Sequence, residues 1–393
     1  MNTQNTPVHV GLWHRDFWLL AVASLLVTTA MYLPLPLLPR WMMTVCGCTP
    51  VEAAVCVALP GASAFLLGCF CSYLVQWYRR NHVCVYSLFA IAMCFYCLQF
   101  IHRGVGTALG AFGFVAVVRL VQGAMFGLAQ MVLSSTLIID TCESFRRTEA
   151  NYSAAWFTRL ALSFGPMLAL ALLPVMDFGS VMVVGAMLCI LAVILISAVK
   201  FPFKAPEDIV RHVSADRFFL PQGKWLFVNL LLVTAAVGLV FSINGTAYFY
   251  GMLSVGFVLS LLAARFVFAN AELKSEAVTG IALMMAALLV LLADDDGTAS
   301  SLVPVLMGCG MGIVGSRLLL FFIKLSPHCR RGTSQSTYFL ACESGLSVGL
   351  FLGYGFFYGD SHGAVVLSLV LCCVALAMYI VFTHRWYMKH KNR

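Results

Sequence analysis

Long apolar runs alternate with short polar interruptions along this chain. Twelve apolar segments can be marked, at approximately 15–39, 51–76, 83–101, 108–139, 150–173, 178–199, 224–243, 247–268, 277–293, 301–323, 335–358 and 363–383. Most reach the roughly 20 residues that a helix needs to cross a bilayer core of about 30 Å. A lipid-crossing backbone must satisfy its own hydrogen bonds, so runs of this length predict helices. The pattern predicts an all-α integral membrane protein with twelve transmembrane helices.

The interruptions give the orientation. With the N-terminus inside, the inner segments carry eighteen basic residues, among them Arg79, Arg80, Arg146, Arg147, Arg330 and Arg331, and the outer loops only Arg40 and Arg103. The outer loops carry Asp177, Asp294, Asp295, Asp296 and Asp360 instead. Such a bias places the basic loops in the cytoplasm, and an even span count places both termini there. The net charge of +8 then reports topology and contact with anionic lipid heads rather than nucleic-acid binding. One stretch, 200–223, is long and polar, mixes both charge signs and contains Pro202, Pro206 and Pro221. It reads as a cytoplasmic linker with room for a short surface helix, dividing the chain into six-span halves at 1–199 and 224–393. An offset of 184 residues places Asn151 on Gln335, Arg159 on Glu343, Ser163 on Ser347 and Gly165 on Gly349. The halves read as an internal repeat.

Polar residues inside the spans are the candidates for chemistry, because a charge at bilayer depth is expensive and usually functional. In the fourth span, Arg119, Gln122, Gly123, Gln130 and Ser134 fall on one side of a helix at about 100° per residue. Two readings stand: a cavity-lining face, or tight packing through Gly123 and Gly127 with Arg119 on buried carbonyls. Glu343 is read as the only acid well inside a span. Counted from the inner face, Arg317 and Glu343 both sit roughly 10–12 Å deep, so a pair between them is expected. That pair is either a proton-coupling site, since burial favours a protonated carboxyl, or a fixed ion pair. Glycines 345, 349 and 353 form a packing stripe about 120° or more around the helix from Glu343. Arg159, with Tyr152, Trp156 and Ser163 on its face, seeks either a structural partner or an anionic solute. Arginines outnumber acids at depth, which favours an anionic or zwitterionic solute. Pro34, Pro36 and Pro39 end or kink the first span near its outer end.

The Arg119-x-x-Gln122-Gly123 pattern, with Gly127 after it, resembles the fourth-helix signature of the major facilitator superfamily. The stretch from Gly68 to Arg79-Arg80 resembles that family's inner-loop signature, although Gln76 and Trp77 stand where an acidic–basic pair is expected. Gly165-Pro166 resembles the span-five motif of its proton-coupled exporters, without the flanking glycines. The resemblance implies two pseudo-symmetric six-helix bundles and alternating access, with helices 1, 4, 7 and 10 lining the cavity. Ser24, Thr28 and Tyr32 on the first span and Asn229 on the seventh fit that implication. Together these readings place Arg119, Gln122, Arg159, Tyr32, Asn229 and Trp156 toward the solute, Glu343 with Arg317 toward the proton, and Gly68, Arg79, Arg80, Gly165 and Pro166 toward gating. The expected function is a secondary transporter in the bacterial inner membrane, monomeric and exchanging a small organic solute for protons. The alternative is proton-coupled uptake of an organic anion or sugar derivative.

The rest of the composition narrows the classes further. Charged residues are 10% of the chain, far below the quarter or so of a soluble domain. Fifteen cysteines lie nearly all inside apolar runs and read as small hydrophobes. Gly310-x-Gly312-x-x-Gly315 matches a dinucleotide fingerprint but sits in a span without a preceding strand, so it reads as helix packing. No phosphate-binding Gly-Lys-Ser/Thr loop, metal cluster or nucleophile–base pair is visible. The chain is expected to need no cofactor and no metal, and not to be an enzyme.

Overall fold

The computed structural model describes residues 11–100, 107–201, 211–268, 272–293, 301–327 and 330–391. Arg103, Pro202, Lys204, Pro206 and Asp294–Asp296, on which part of the loop reading rested, lie outside them. Among the described residues there are helices and no strands.

The helices follow the apolar runs. They are α1 (Arg15–Tyr32), α2 (Leu38–Thr44), α3 (Pro50–Ser63), α4 (Cys71–Trp77), α5 (Arg80–Leu98), α6 (Ala108–Val132), α7 (Arg147–Leu172) and α8 (Phe178–Ser197). After the linker come α9 (Lys224–Ile243), α10 (Ala247–Phe266), α11 (Leu273–Ala293), α12 (Leu302–Leu325), α13 (Arg331–Gly355), α14 (Ser361–Met378) and α15 (His384–His390). Among the described residues, ten helical stretches are long and apolar enough to cross a membrane. Helices α1 and α13 are not among them. The first begins on Arg15 and Asp16 and stops at the prolines, and the second is rich in polar side chains. Exposed Leu109, Val117 and Met93 belong to the apolar outer surface.

Local signals explain the ends. The first span is not one kinked helix to residue 39. It stops at Tyr32, because Pro34 and Pro36 cannot donate to a helical ladder, and α2 restarts with Pro39 in its first turn. Thr49 caps α3 by a reciprocal capping box with Glu52. Helix α6 passes into a π-helical turn at Leu133–Leu137 before ending at Asp140.

Helix α1 lies on α7 and α8, α6 on α3 and α5, and α5 on α8. Beyond the linker, α9 lies on α13 and α14, and α12 on α10, α11 and α13. The larger contacts between these two sets are α3 with α13 and α7 with α10. The tightest crossing is between α9 and α13. A Cβ on Gly349 would lie 2.8 Å from Gly238 Cα and 2.8 Å from Leu239 N, and one on Gly238 would lie 2.9 Å from Gly349 Cα. Backbones in membranes approach this closely only through small residues. The Gly345–Gly349–Gly353 stripe therefore faces α9.

The basic ends of the helices meet a segment of the linker. Residues 211–220 form no helix, and a 3₁₀ turn follows at Pro221–Gly223; residues 202–210, where a short surface helix had room, lie outside the described residues. The Ser214 amide donates to Cys69 O (3.0 Å), between α3 and α4. The Arg217 amide donates to Thr333 Oγ1 (2.9 Å) and the Leu220 amide to Thr337 Oγ1 (2.8 Å), both on α13. Thr333 Oγ1 in turn donates to Asp216 Oδ1 (3.2 Å). Phe218 stacks edge-on against Phe65 and fills the space that Gly68 leaves. The segment thus grips both sets of helices. Arg80 pairs with Asp140 at the same end, whereas Arg79 is exposed at the start of α5.

The glycine seam gives the first prediction. Gly349→Leu should destabilise the purified protein by about 1–3 kcal/mol, the usual cost of overpacking. A thermal unfolding shift in detergent measures it, and an unshifted midpoint would mean that the seam relaxes freely.

Candidate functional site

Between the two sets of helices lies a cavity walled by α1, α6, α7, α9, α12 and α13. Each wall follows from helical spacing. On α1, Ser24, Thr28 and Tyr32 recur every four residues and share one face. On α6, Gln130 and Ser134 do the same. Gln130 Nε2 donates to Thr28 Oγ1 (2.8 Å), and Ser24 Oγ donates to Gln130 Oε1 (3.3 Å), so α1 and α6 satisfy each other's polar groups. Ser134 Oγ returns its proton to Gln130 O (2.6 Å). On α13, Gln335, Tyr338, Cys342, Glu343 and Leu346 line the wall, while the glycine stripe on the other side fixes the helix to α9.

Two charged side chains line this cavity, and no ion pair joins them. Arg159 on α7 is 6% exposed. Its Nε donates to Tyr338 Oη (3.1 Å), and its guanidinium lies over the Trp156 indole, 4.7 Å from the ring centroid. Its Nη1 and Nη2 are buried, with no hydrogen-bond partner among the described residues. Gly315 on α12 makes room for this group: a Cβ there would lie 3.2 Å from Arg159 Nε and 3.0 Å from Tyr338 Oη. Cation–π contact with tryptophan can supply up to about 2 kcal/mol in a dry site. It does not replace the hydrogen bonds of the two free nitrogens, whose burial costs energy until an acceptor arrives.

Glu343 is the second charge, 7% exposed. It accepts a hydrogen bond from the Tyr32 hydroxyl, joining α13 to the end of α1. Gly165 positions that tyrosine. A Cβ at Gly165 would lie 2.7 Å from Thr29 O and 2.8 Å from Tyr32 Cβ, so only glycine lets α7 lie this close behind it. Pro166 follows inside α7 without ending the helix.

Other expected site residues lie elsewhere. Arg119 is fully inside the contact of α6 with α3. Its Nε donates to Cys56 O (3.2 Å) and its Nη1 to Gln122 Oε1 (2.6 Å). Gly123 and Gly127 meet the backbone of Pro60 and Ala64. Neither Arg119 nor Gln122 reaches the cavity wall. Asn229 turns to α14, where its Nδ2 donates to Ala375 O (2.8 Å). Trp156 stands behind Arg159 as its stacking partner rather than on the wall.

The expected Arg317–Glu343 pair is not formed. Arg317 makes a two-pronged ion pair with Glu276 on α11. The reason is azimuth: Gly315 faces the cavity, and two residues later the side chain points about 200° away. Matching depth was not enough. Glu276 is 4% exposed in the first turn of α11, so Glu343 is not the only buried acid. The helix begins at Leu273, four residues before the apolar run that marks it at 277. Tyr338 also escaped the sequence reading. Its signal was the density of polar side chains from Thr333 to Glu343. No group of three or more metal-ligating side chains occurs among the described residues.

The arrangement suits reversible binding of a polar solute inside an apolar protein. The family model for the Major Facilitator Superfamily matches residues 20–350, and the chain belongs to that superfamily. It is similar in structure to a bacterial homologue of the iron transporter ferroportin in an outward-facing state. The identity is 16% and the TM-score 0.68, with 95% of this chain and 100% of that one covered. It is also similar to the human organic anion transporter MFSD10 (TETRAN), at 14% identity and a TM-score of 0.67, covering 93% and 99% of the two chains. A peptide transporter of the POT family, in an auto-inhibited state, aligns at 13% identity and a TM-score of 0.65, with 97% and 98% covered. At these identities the likeness is one of fold. No curated protein matches the chain.

The Glu276–Arg317 pair yields a second prediction. Arg317→Met alone should cost about 3–5 kcal/mol of stability, because it strands a buried carboxylate. Arg317→Met with Glu276→Leu should recover most of that loss. Thermal unfolding of the two variants decides the matter, and a double variant no better than the single would show that the pair does more than balance charge.

Proposed function

We propose that this superfamily member is a twelve-helix secondary transporter. Its halves, 1–199 and 224–393, rock about the central cavity to expose it alternately to the two sides of the membrane. The linker 200–223 and the basic helix ends lie in the cytoplasm with both termini, as the positive-inside bias requires. In a bacterial cell this is the inner membrane. The solute is a small organic molecule, and its efflux is driven by proton entry.

One observation carries the reading: the Glu343 carboxylate lines the cavity and is held by Tyr32 from the other half of the chain. A carboxylate there can take up a proton, and the change of charge alters a contact between the halves. Protonation, solute binding and the relative position of the halves are thereby linked through one hydrogen bond. Packing supports the division, since the contacts between the halves are fewer than those within each. Arg317 has no part in the coupling, because Glu276 holds it. Arg119, locked between α3 and α6, fixes the wall on which Gln130 and Ser134 stand. Arg159, with two free nitrogens, is the solute contact. Gly68, Arg80 and Gly165 act in gating through what they touch: the linker, Asp140 and Tyr32 respectively.

Proteoliposomes test the proposal. With the interior acid and the protein inserted inside-out, solute should accumulate against its gradient, up to about tenfold per pH unit for each proton exchanged. Glu343→Gln should bring the accumulation ratio to one while solute still equilibrates. Uphill movement that survives in Glu343→Gln would remove this carboxylate from the coupling.

A further inference from the structure

We propose that the solute is an elongated zwitterion, its acid group seated on Arg159 and its ammonium group on Glu343, with an apolar body between them. This rests on the transporter reading above and adds the class of molecule carried. Four observations converge on it. The cavity holds one cation and one anion, and they do not pair with each other. Arg159 presents two buried nitrogens without acceptors, a fork that fits a carboxylate. Glu343 offers a carboxylate held by a single hydroxyl. Apolar side chains from α7, α9, α12 and α13 line the same cavity, among them Leu162, Val233, Met311, Phe339 and Leu346.

The spacing sets the length of the molecule. Arg159 is tied to Tyr338, and Tyr338 precedes Glu343 by five residues on α13, about 7.5 Å along the helix axis and about 140° around it, which holds the two charges apart. The two charges of an α-amino acid are much closer than that. A simple anion would satisfy Arg159 and leave the carboxylate with no counter-charge in the cavity, only Arg119 behind the wall, and a simple cation would leave the Arg159 fork without an acceptor. In a dry cavity each unpaired charge is costly. A zwitterion of matching length satisfies both at once.

This pairing also supplies the exchange. The Glu343 carboxylate can hold a proton or an ammonium group, not both. Arrival of the proton neutralises the carboxylate and releases the solute's amine, which leaves still protonated. The charged and titratable groups around Glu343 are Tyr32 from α1, Arg119 from α6, and Cys342 and Tyr338 on its own helix. Arg159 stands on the α7 wall, while α3 brings Gly61 and α9 brings Thr234 to α13.

The test compares four probes on the purified full chain by thermal shift at pH 6 and pH 8: 6-aminohexanoate, hexanoate, hexylamine and leucine. The expected result is a larger shift with 6-aminohexanoate than with the other three, greater at pH 8 than at pH 6. Glu343→Gln should abolish the pH dependence, and Arg159→Met should abolish the preference for 6-aminohexanoate over hexylamine. Should Arg159→Met not fold, Arg159→Lys keeps the charge without the fork and should weaken that preference. Equal shifts with hexanoate and 6-aminohexanoate would overturn the zwitterion while leaving proton-driven transport intact. So would a preference for leucine or hexylamine, or no shift with 6-aminohexanoate. Failure of the proteoliposome assay would instead remove the transport reading itself.

Discussion

Hydrocarbon supplies no hydrogen bonds, so every polar side chain at bilayer depth must be completed from within the protein. Most of the buried polar groups here meet that demand by local means. Arg119 takes a carbonyl of α3 and the amide oxygen of Gln122. Asn229 takes a carbonyl of α14, Arg317 takes Glu276, and Gln130 is shared with Ser24 and Thr28. Against that background, two unsatisfied nitrogens on Arg159 and a carboxylate held by one tyrosine are informative. Asn151, Asn229 Oδ1 and Gln335 Oε1 also lack a partner among the described residues, but Arg159 and Glu343 are the charged groups that line the cavity.

Helix α13 concentrates this division of labour. One face carries glycines and lies backbone to backbone against α9. Another carries Gln335, Tyr338 and Glu343 into the cavity. A rigid seam thus aims the site, much as a strand aims a catalytic loop in a soluble enzyme. Helix α7 does the same on the other side: Gly165 fits against α1, and Arg159, six residues earlier, reaches the cavity wall. The positions matched by the 184-residue offset, Arg159 and Glu343, are the two charges that line the cavity.

Spans were legible because bilayer thickness fixes their length and hydrocarbon fixes their composition. The glycine stripe of α13 was legible for a related reason, since spacing along a helix gives direction once one face is known. Pairings between helices were not. Depth can be counted from a loop, but azimuth changes by about 100° per residue. Arg317 therefore reached the expected depth and faced α11 instead of α13. Glu276 was not legible because α11 begins in a polar turn, at Leu273, four residues before its apolar run. The fourth-helix signature was visible as a motif, yet its arginine turned inward to α3 and left Gln130 and Ser134, three to four turns further on, to meet the cavity. The linker's docking on Thr333 and Thr337 uses backbone amides, which carry no sequence signature at all.

The seam between α9 and α13 has a calorimetric consequence. A soluble domain exposes apolar surface to water when it unfolds, and its heat capacity rises by about 12–15 cal/mol/K per residue. When Gly238 and Gly349 separate inside a bilayer, the uncovered surface meets lipid tails rather than water. The hydration contribution is then largely absent, and cohesion rests on dispersion between close backbones. The free energy holding this pair of helices together accordingly declines almost linearly on heating. It lacks the curvature that gives soluble proteins a temperature of maximum stability and a cold-denatured state below it.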